Sequence, residues 1–169
     1  MSGTITIINV GITALDADAV VNAANSGLYA GGGVCGAIFR EAGYNELDAA
    51  CRRIGHCDTG SAVITPGFRL KAKYIIHAVG PIWNGGNRNE EELLYSAYQK
   101  SLKLALKYDC HSIGFPLISA GIYGCPKNIA WNNALNACRD FLKEHPDSDI
   151  QIIFAVPDPA IRKLGQEKL

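Results

Sequence analysis

Apolar residues along this chain follow two alternating patterns. Short runs dense in β-branched residues, 4–9 (TITIIN) and 19–23 (AVVNA), are bounded by turn-formers and read as buried strands. Gly11 and residues 16–18 mark the connection between them. After Gly31, Gly32 and Gly33 a helical pattern begins near Val34 and runs to Ala42, where Gly43 stops it. A second short helix is expected over 46–54. Residues 61–65 and 74–79 (YIIHAV) read as two further strands, the latter apolar enough to lie centrally in a sheet and closed by Pro81. From Glu90 to Lys107 apolar positions recur at three and four, which predicts an amphipathic helix with Asn89 as its N-cap. Strand 112–118 (SIGFPLI), helix 128–144, strand 150–156 (IQIIFAV) and helix 159–168 complete the order. Strands alternating with helices predict a mostly parallel, partly mixed α/β sheet with helices on both faces and ligands at the strands' carboxyl ends.

At 169 residues the chain has the length of one domain able to bury its own core, and residues 1–169 read as a single one. Sixteen basic residues balance sixteen acidic ones, so no overall field gathers a polyanion. A nucleic-acid polymer is therefore not expected as partner, and an anionic ligand must be small. The six cysteines (Cys35, Cys51, Cys57, Cys110, Cys125, Cys138) form no C-x-x-C pair and match no zinc spacing. No signal-like segment opens the sequence and no apolar stretch has the length of a membrane span, so a reduced, cytoplasmic setting away from membranes is expected.

Residues 21–36, VNAANSGLYAGGGVCG, carry the most chemical information. Three successive glycines beside a helix start let backbone N–H groups turn toward one point, which suits a phosphate. The glycines alone equally describe a mobile surface loop, since neither common nucleotide fingerprint is matched. A second loop, 119–124 (SAGIYG), also leaves an apolar strand and precedes a helix. Two such loops opening at one sheet edge could clasp a diphosphate, with Tyr123 offering its ring to a sugar or, alternatively, filling space as a half-buried core aromatic. Asn22 and Asn25 fall on opposite faces. Asn22 could tie the loops together, and Asn25 could bind a ligand hydroxyl or simply form a turn.

With these motifs in place, the chain resembles the macrodomain family, and within it the MacroD-type branch that includes bacterial O-acetyl-ADP-ribose deacetylases. The likeness runs through VNAAN (21–25), GGGV (31–34), TGSAVITPGF (59–68), YIIHAVGPIW (74–83) and FPLISAGIYG (115–124), nearly the whole chain. It implies a three-layer α/β/α sandwich around a six-stranded mixed, mostly parallel sheet. It also implies binding of ADP-ribose or O-acetyl-ADP-ribose, with hydrolysis of mono-ADP-ribosyl esters on protein carboxylates or of O-acetyl-ADP-ribose and no cofactor or metal. By the same resemblance Asn25 holds the terminal ribose. Gly32, Gly33 and Val34 form the first phosphate loop. Ser119, Ala120, Gly121, Ile122 and Tyr123 form the second, with the Tyr123 ring against that ribose.

The departures bear on catalysis and on the base. Where the hydrolases carry an aspartate ten residues after the ribose asparagine, this chain has Cys35. The carboxylate that meets the adenine amino group aligns with Gly11 of VGIT, leaving the backbone of Gly11 and Ile12 for that task, and an adenine-stacking aromatic aligns with Pro157. Ala30 replaces a glycine and Ala120 a threonine. An ordinary thiol is mostly protonated at neutral pH, where a carboxylate is ionised, so Cys35 does not imitate aspartate. Three outcomes stay open: hydrolysis by positioned water with Asn25 and Cys35 lining the reacting group, a nucleophilic Cys35 without an assigned histidine, or binding without turnover. A base other than adenine is also open, given Gly11 and Pro157.

Overall fold

The computed structural model describes residues 3–169; Met1 and Ser2, which open the segment read above for a signal, lie outside the described residues. Six strands form one sheet: β1 (Thr4–Ile8), β2 (Ala19–Ala23), β3 (Ala62–Pro66), β4 (Tyr74–Ala78), β5 (Ser112–Phe115) and β6 (Gln151–Ala155). Their order is β1-β6-β5-β2-β4-β3. Every pairing is parallel except β3 with β4. The five α-helices are α1 (Gly33–Ala42), α2 (Tyr44–Ile54), α3 (Glu90–Lys107), α4 (Lys127–Glu144) and α5 (Pro159–Lys168).

Strand alternation divides the interior into two cores. Val21, Ile76, Ile113, Phe115, Ile152 and Phe154 point to the face covered by α3 and α4, where Trp131, Tyr98 and Phe141 are fully buried. Burying each such side chain contributes about 1.5–3 kcal/mol. On the other face Val20, Ile75 and Ala155 meet Ile38, Phe39 and Leu47 of α1 and α2. The result is the expected three-layer arrangement with a mixed, mostly parallel sheet.

Three local expectations need correction. YIIHAV lies inside the sheet but next to its edge, between β2 and β3, rather than at the middle. The strand expected over 112–118 pairs only to Phe115, because Pro116 has no N–H to continue the ladder. Asn89 does not cap α3 with its side chain, for it sits in the left-handed region at φ 60° with no cap bond. Glu90 takes over that end: its carboxylate accepts from the backbone N–H groups of Asn84 (2.7 Å), Gly86 (3.0 Å) and Arg88 (2.6 Å). A short 3-10 turn, Ile12–Ala14, was not foreseen by the pattern.

Candidate functional site

Because the strands apart from β3 run parallel, their carboxyl ends open on one edge. In spatial order that edge carries Gly11 after β1, Pro157 after β6, the loop 116–126 after β5, the loop 24–32 after β2 and the loop 79–89 after β4. Strands about 4.8 Å apart put roughly 14 Å between the ends of β1 and β2, enough for an extended ligand to lie across them.

The loop after β2 is folded around Asn25. Its amide Nδ2 donates to Tyr29 O at 2.8 Å, and its Oδ1 accepts from Tyr29 N–H at 3.1 Å. One amide hydrogen and one oxygen lone pair remain for a ligand, already oriented. Cys35 lies beneath the same turn, 7% exposed, accepting from Gly31 N–H at 3.4 Å and facing Tyr29 O at 3.9 Å. A Cβ built on Gly31 would meet both Asn25 Nδ2 and Cys35 Sγ at 3.8 Å, so these three residues form one cluster. Gly36 is pressed onto the loop, since a Cβ there would lie 2.6 Å from Gly31 O. Gly33 opens α1 at φ 57°, a conformation that turns the first-turn amides outward and that side chains resist. Those amides, on Gly33, Val34 and Cys35, have no helical acceptor and carry the positive end of the helix dipole.

The loop after β5 is anchored from below. Tyr98, fully buried, accepts from Ile118 N–H at 2.9 Å and donates to Pro116 O at 3.3 Å. Ser119 is buried and donates to Pro81 O at 2.8 Å, so its hydroxyl holds the loop to its neighbour. Ala120 is buried, Gly121 and Ile122 are exposed, and Tyr123 is half-buried. Burial, with Tyr29 and Cys35 nearby, raises the Tyr123 phenol above its ordinary value and keeps it protonated. Ile122, 89% exposed, reaches across to the first loop: its Cδ1 would stand 3.9 Å from a Cβ on Gly32. The two glycine loops therefore face each other over a narrow gap.

At the β1 and β6 end, Gly11 is exposed with open space where a Cβ would go, Ile12 is buried, and Pro157 is exposed. Arg162 ties this end together by donating to Val156 O (3.1 Å) and Pro157 O (3.0 Å).

Sequence reading missed the loop after β4. Held by Glu90 and joined to the second glycine loop through Trp83 N–H to Tyr123 O (2.8 Å), it walls a cavity of about 280 Å³ with Ser26, Thr59 and Tyr123. Of the residues named from sequence as site residues, Tyr123 lines it, while the motifs 59–68 and 74–83 contribute Thr59, Gly80, Pro81 and Ile82 to its walls. Neither those motifs nor the turn-rich run 84–89 before Glu90 says where the loop folds.

Asn22 does not join the loops. It faces His77, Nδ2 to Nδ1 3.1 Å, and His77 Nε2 faces Thr65 Oγ1 at 3.0 Å, all three buried between the sheet and α2. Burial pushes the His77 imidazole down to about 4, so it is neutral, accepting from Asn22 and donating to Thr65, which donates to Pro66 O. Asn22 Oδ1 is buried without a partner among the described residues. Among the described residues no group of three or more His, Cys, Asp or Glu side chains is placed to hold a metal, and no helix is long and apolar enough to cross a membrane.

Comparison with known proteins places these features in a family. The Macro domain model matches residues 21–134. The chain is 53% identical to a Macro domain-containing protein of Chlorobaculum tepidum, covering 79% of this chain and 77% of that one. It is 46% identical to a protein of Cronobacter sakazakii named O-acetyl-ADP-ribose deacetylase, covering 94% and 89%. A Trypanosoma brucei macrodomain solved in complex with ADP-ribose superposes with a TM-score of 0.90 at 37% identity, covering 97% of this chain and 68% of that one.

Proposed function

Since the chain belongs to the Macro domain family, we propose that it binds ADP-ribose along the carboxyl edge and hydrolyses the ester of O-acetyl-ADP-ribose or of mono-ADP-ribosylated protein carboxylates, with one domain carrying the whole site. The observation that carries the binding role is the facing of two glycine loops, Gly32 against Ile122, on adjacent parallel strands. The first-turn amides of α1 supply partial positive charge to one side of a diphosphate. The second loop adds the amides of Gly121, Ile122 and Tyr123, none of which donates to another backbone group among the described residues. The free amide hydrogen and lone pair of Asn25 hold the terminal ribose, and Tyr123 flanks it. Gly11 and Pro157 then adjoin the base, with Ile12 packed beneath.

Hydrolysis breaks the acyl–oxygen bond, delivering hydroxide to the acyl carbon and a proton to the ribose oxygen. The group packed with Asn25 around Gly31 is the buried Cys35 thiol, hydrogen-bonded within its own loop, and not a carboxylate free to act as a base. The chain's contribution is therefore positioning: Asn25 fixes the ribose, the loops fix the diphosphate, and a ligand phosphate oxygen accepts the water's proton and returns it to the departing ribose oxygen. Orientation of this kind lowers a barrier by several kcal/mol without a dedicated base. Turnover of mono-ADP-ribosylated protein and of O-acetyl-ADP-ribose tests it, and release no faster than the uncatalysed reaction at high enzyme concentration overturns it.

One observation favours a second reading, that of a reader which binds without turnover: the thiol of Cys35 sits where the hydrolase relatives are expected to carry a carboxylate. Cys35→Asp separates the two. Activity that appears only in the variant supports the reader, and unchanged robust activity removes it.

A further inference from the structure

The edge order extends past the ribose. If the base lies over β1 and β6, the diphosphate between the β5 and β2 loops and the ribose at Asn25, the next place along is the loop after β4, where the cavity of about 280 Å³ opens. Its walls continue the site directly: Ser26 follows Asn25, and Tyr123 is shared with the second glycine loop. Thr59 closes it from the turn just before β3, held there by Gly60 N–H donating to Val79 O at 2.7 Å.

The charge of this cavity is asymmetric. Glu90 lines it, but its carboxylate is buried and surrounded by three backbone N–H dipoles. Burial opposes that charge, while the amides of Asn84, Arg88 and Gly86 hold the carboxyl below its usual range. Asp58, beside Thr59, is paired with His56 at 2.8 Å. Arg88 is exposed, and among the described residues its guanidinium takes part in no ion pair or hydrogen bond; only its backbone N–H is engaged, by Glu90. The rim thus presents one unengaged guanidinium beside two carboxylates, Glu90 and Asp58, each already engaged in hydrogen bonds, over otherwise polar and apolar walls.

We infer that this cavity seats the acceptor side of the substrate, the acyl group and flanking residues of an acidic peptide carrying mono-ADP-ribose, with Arg88 as the specificity residue for neighbouring carboxylates. This rests on the binding mode proposed above. A guanidinium favours carboxylates through paired, charge-assisted hydrogen bonds. Near the surface its effect is on selection among acceptors rather than on affinity for ADP-ribose itself.

Calorimetry with two probes tests it: free ADP-ribose, and an acidic peptide bearing ADP-ribose through a hydrolysis-resistant amide. The native chain is expected to bind the conjugate about 10-fold tighter than free ADP-ribose at low ionic strength, a gain that salt diminishes. R88E removes the gain and leaves affinity for free ADP-ribose within about 2-fold, whereas R88K keeps part of it, because lysine preserves the charge without the fork. A conjugate bound no tighter than ADP-ribose, a gain that survives R88E, or an equal gain with a neutral peptide overturns the inference. If free ADP-ribose itself fails to bind, the underlying reading falls and this one with it; if it binds and only the conjugate gain is missing, the acceptor cavity alone is wrong.

Discussion

Around Asn25 the polar side chains are engaged with backbone: Asn25 with Tyr29, Cys35 with Gly31, Ser119 with Pro81 and Glu90 with three amides of its own loop. Around Gly11 and Pro157 the side chains bonded to backbone, Arg162 to Val156 O and Pro157 O and Asp158 to Ala160 N–H and Ile161 N–H, belong to the start of α5 and not to a loop closed on itself. The difference teaches where binding energy is generated. Pre-formed amides and fixed polar groups act without reorganisation, so the diphosphate and ribose end supplies orientation, while the base end supplies shape and tolerates change.

The sharpest way to break that contrast is Gly33→Val. A β-branched residue at φ 57° costs about 1–3 kcal/mol, and disturbing an amide aimed at a phosphate costs about 1.5–3 more. ADP-ribose affinity should fall about 1000-fold, with the far-ultraviolet dichroism unchanged, and retention of affinity would mean that the first loop does not hold the diphosphate.

Acid acts on the same end through His77. The folded imidazole titrates near 4 against an ordinary 6.5, so between those values the unfolded chain binds the extra proton. Stability is complete above about 6.5 and declines as pH falls toward 4, by about 3 kcal/mol in all. His111, raised by the Asp149 carboxylate, works in the opposite sense, but it is exposed and screened. Urea melts between pH 7 and 4.5 would reveal the slope, and hydrogen exchange should loosen β2 and β4 before β1 and β6.

A smaller effect is expected from Asn25→Ala, which removes both the loop closure and the ribose contact. Loss of about 2 kcal/mol corresponds to a fall in kcat/KM of about 30-fold, and an equal fall in ADP-ribose affinity would show that Asn25 binds without favouring the reaction.

The mildest change sharpens the other end. Gly11 has extended φ and ψ and open space at its Cβ position, so Gly11→Asp is accommodated. A carboxylate there gains about 1 kcal/mol of hydrogen bonding to an adenine amino group, or about 5-fold in affinity over a base lacking that donor. Equal affinity for both bases in the variant would move the base away from this end.

The run and turn pattern of the sequence was sufficient for the order of strands and helices, the parallel majority of the sheet and the two glycine loops, because these depend on local period and backbone freedom. Helices α3 and α5 begin and end where their periodicity does. Local signals also located Asn25 and Cys35 in one short segment, so their proximity was legible. Tertiary structure alone decided who partners whom. Asn22 meets His77 because β2 and β4 pair in register across 55 residues, and Glu90 captures its loop because a buried carboxylate needs donors. The cavity after β4 draws its walls from four loops distant in sequence, and no local period encodes their convergence. Sequence sets what each segment can become; long-range packing chooses which polar groups find partners and which stay free for a ligand.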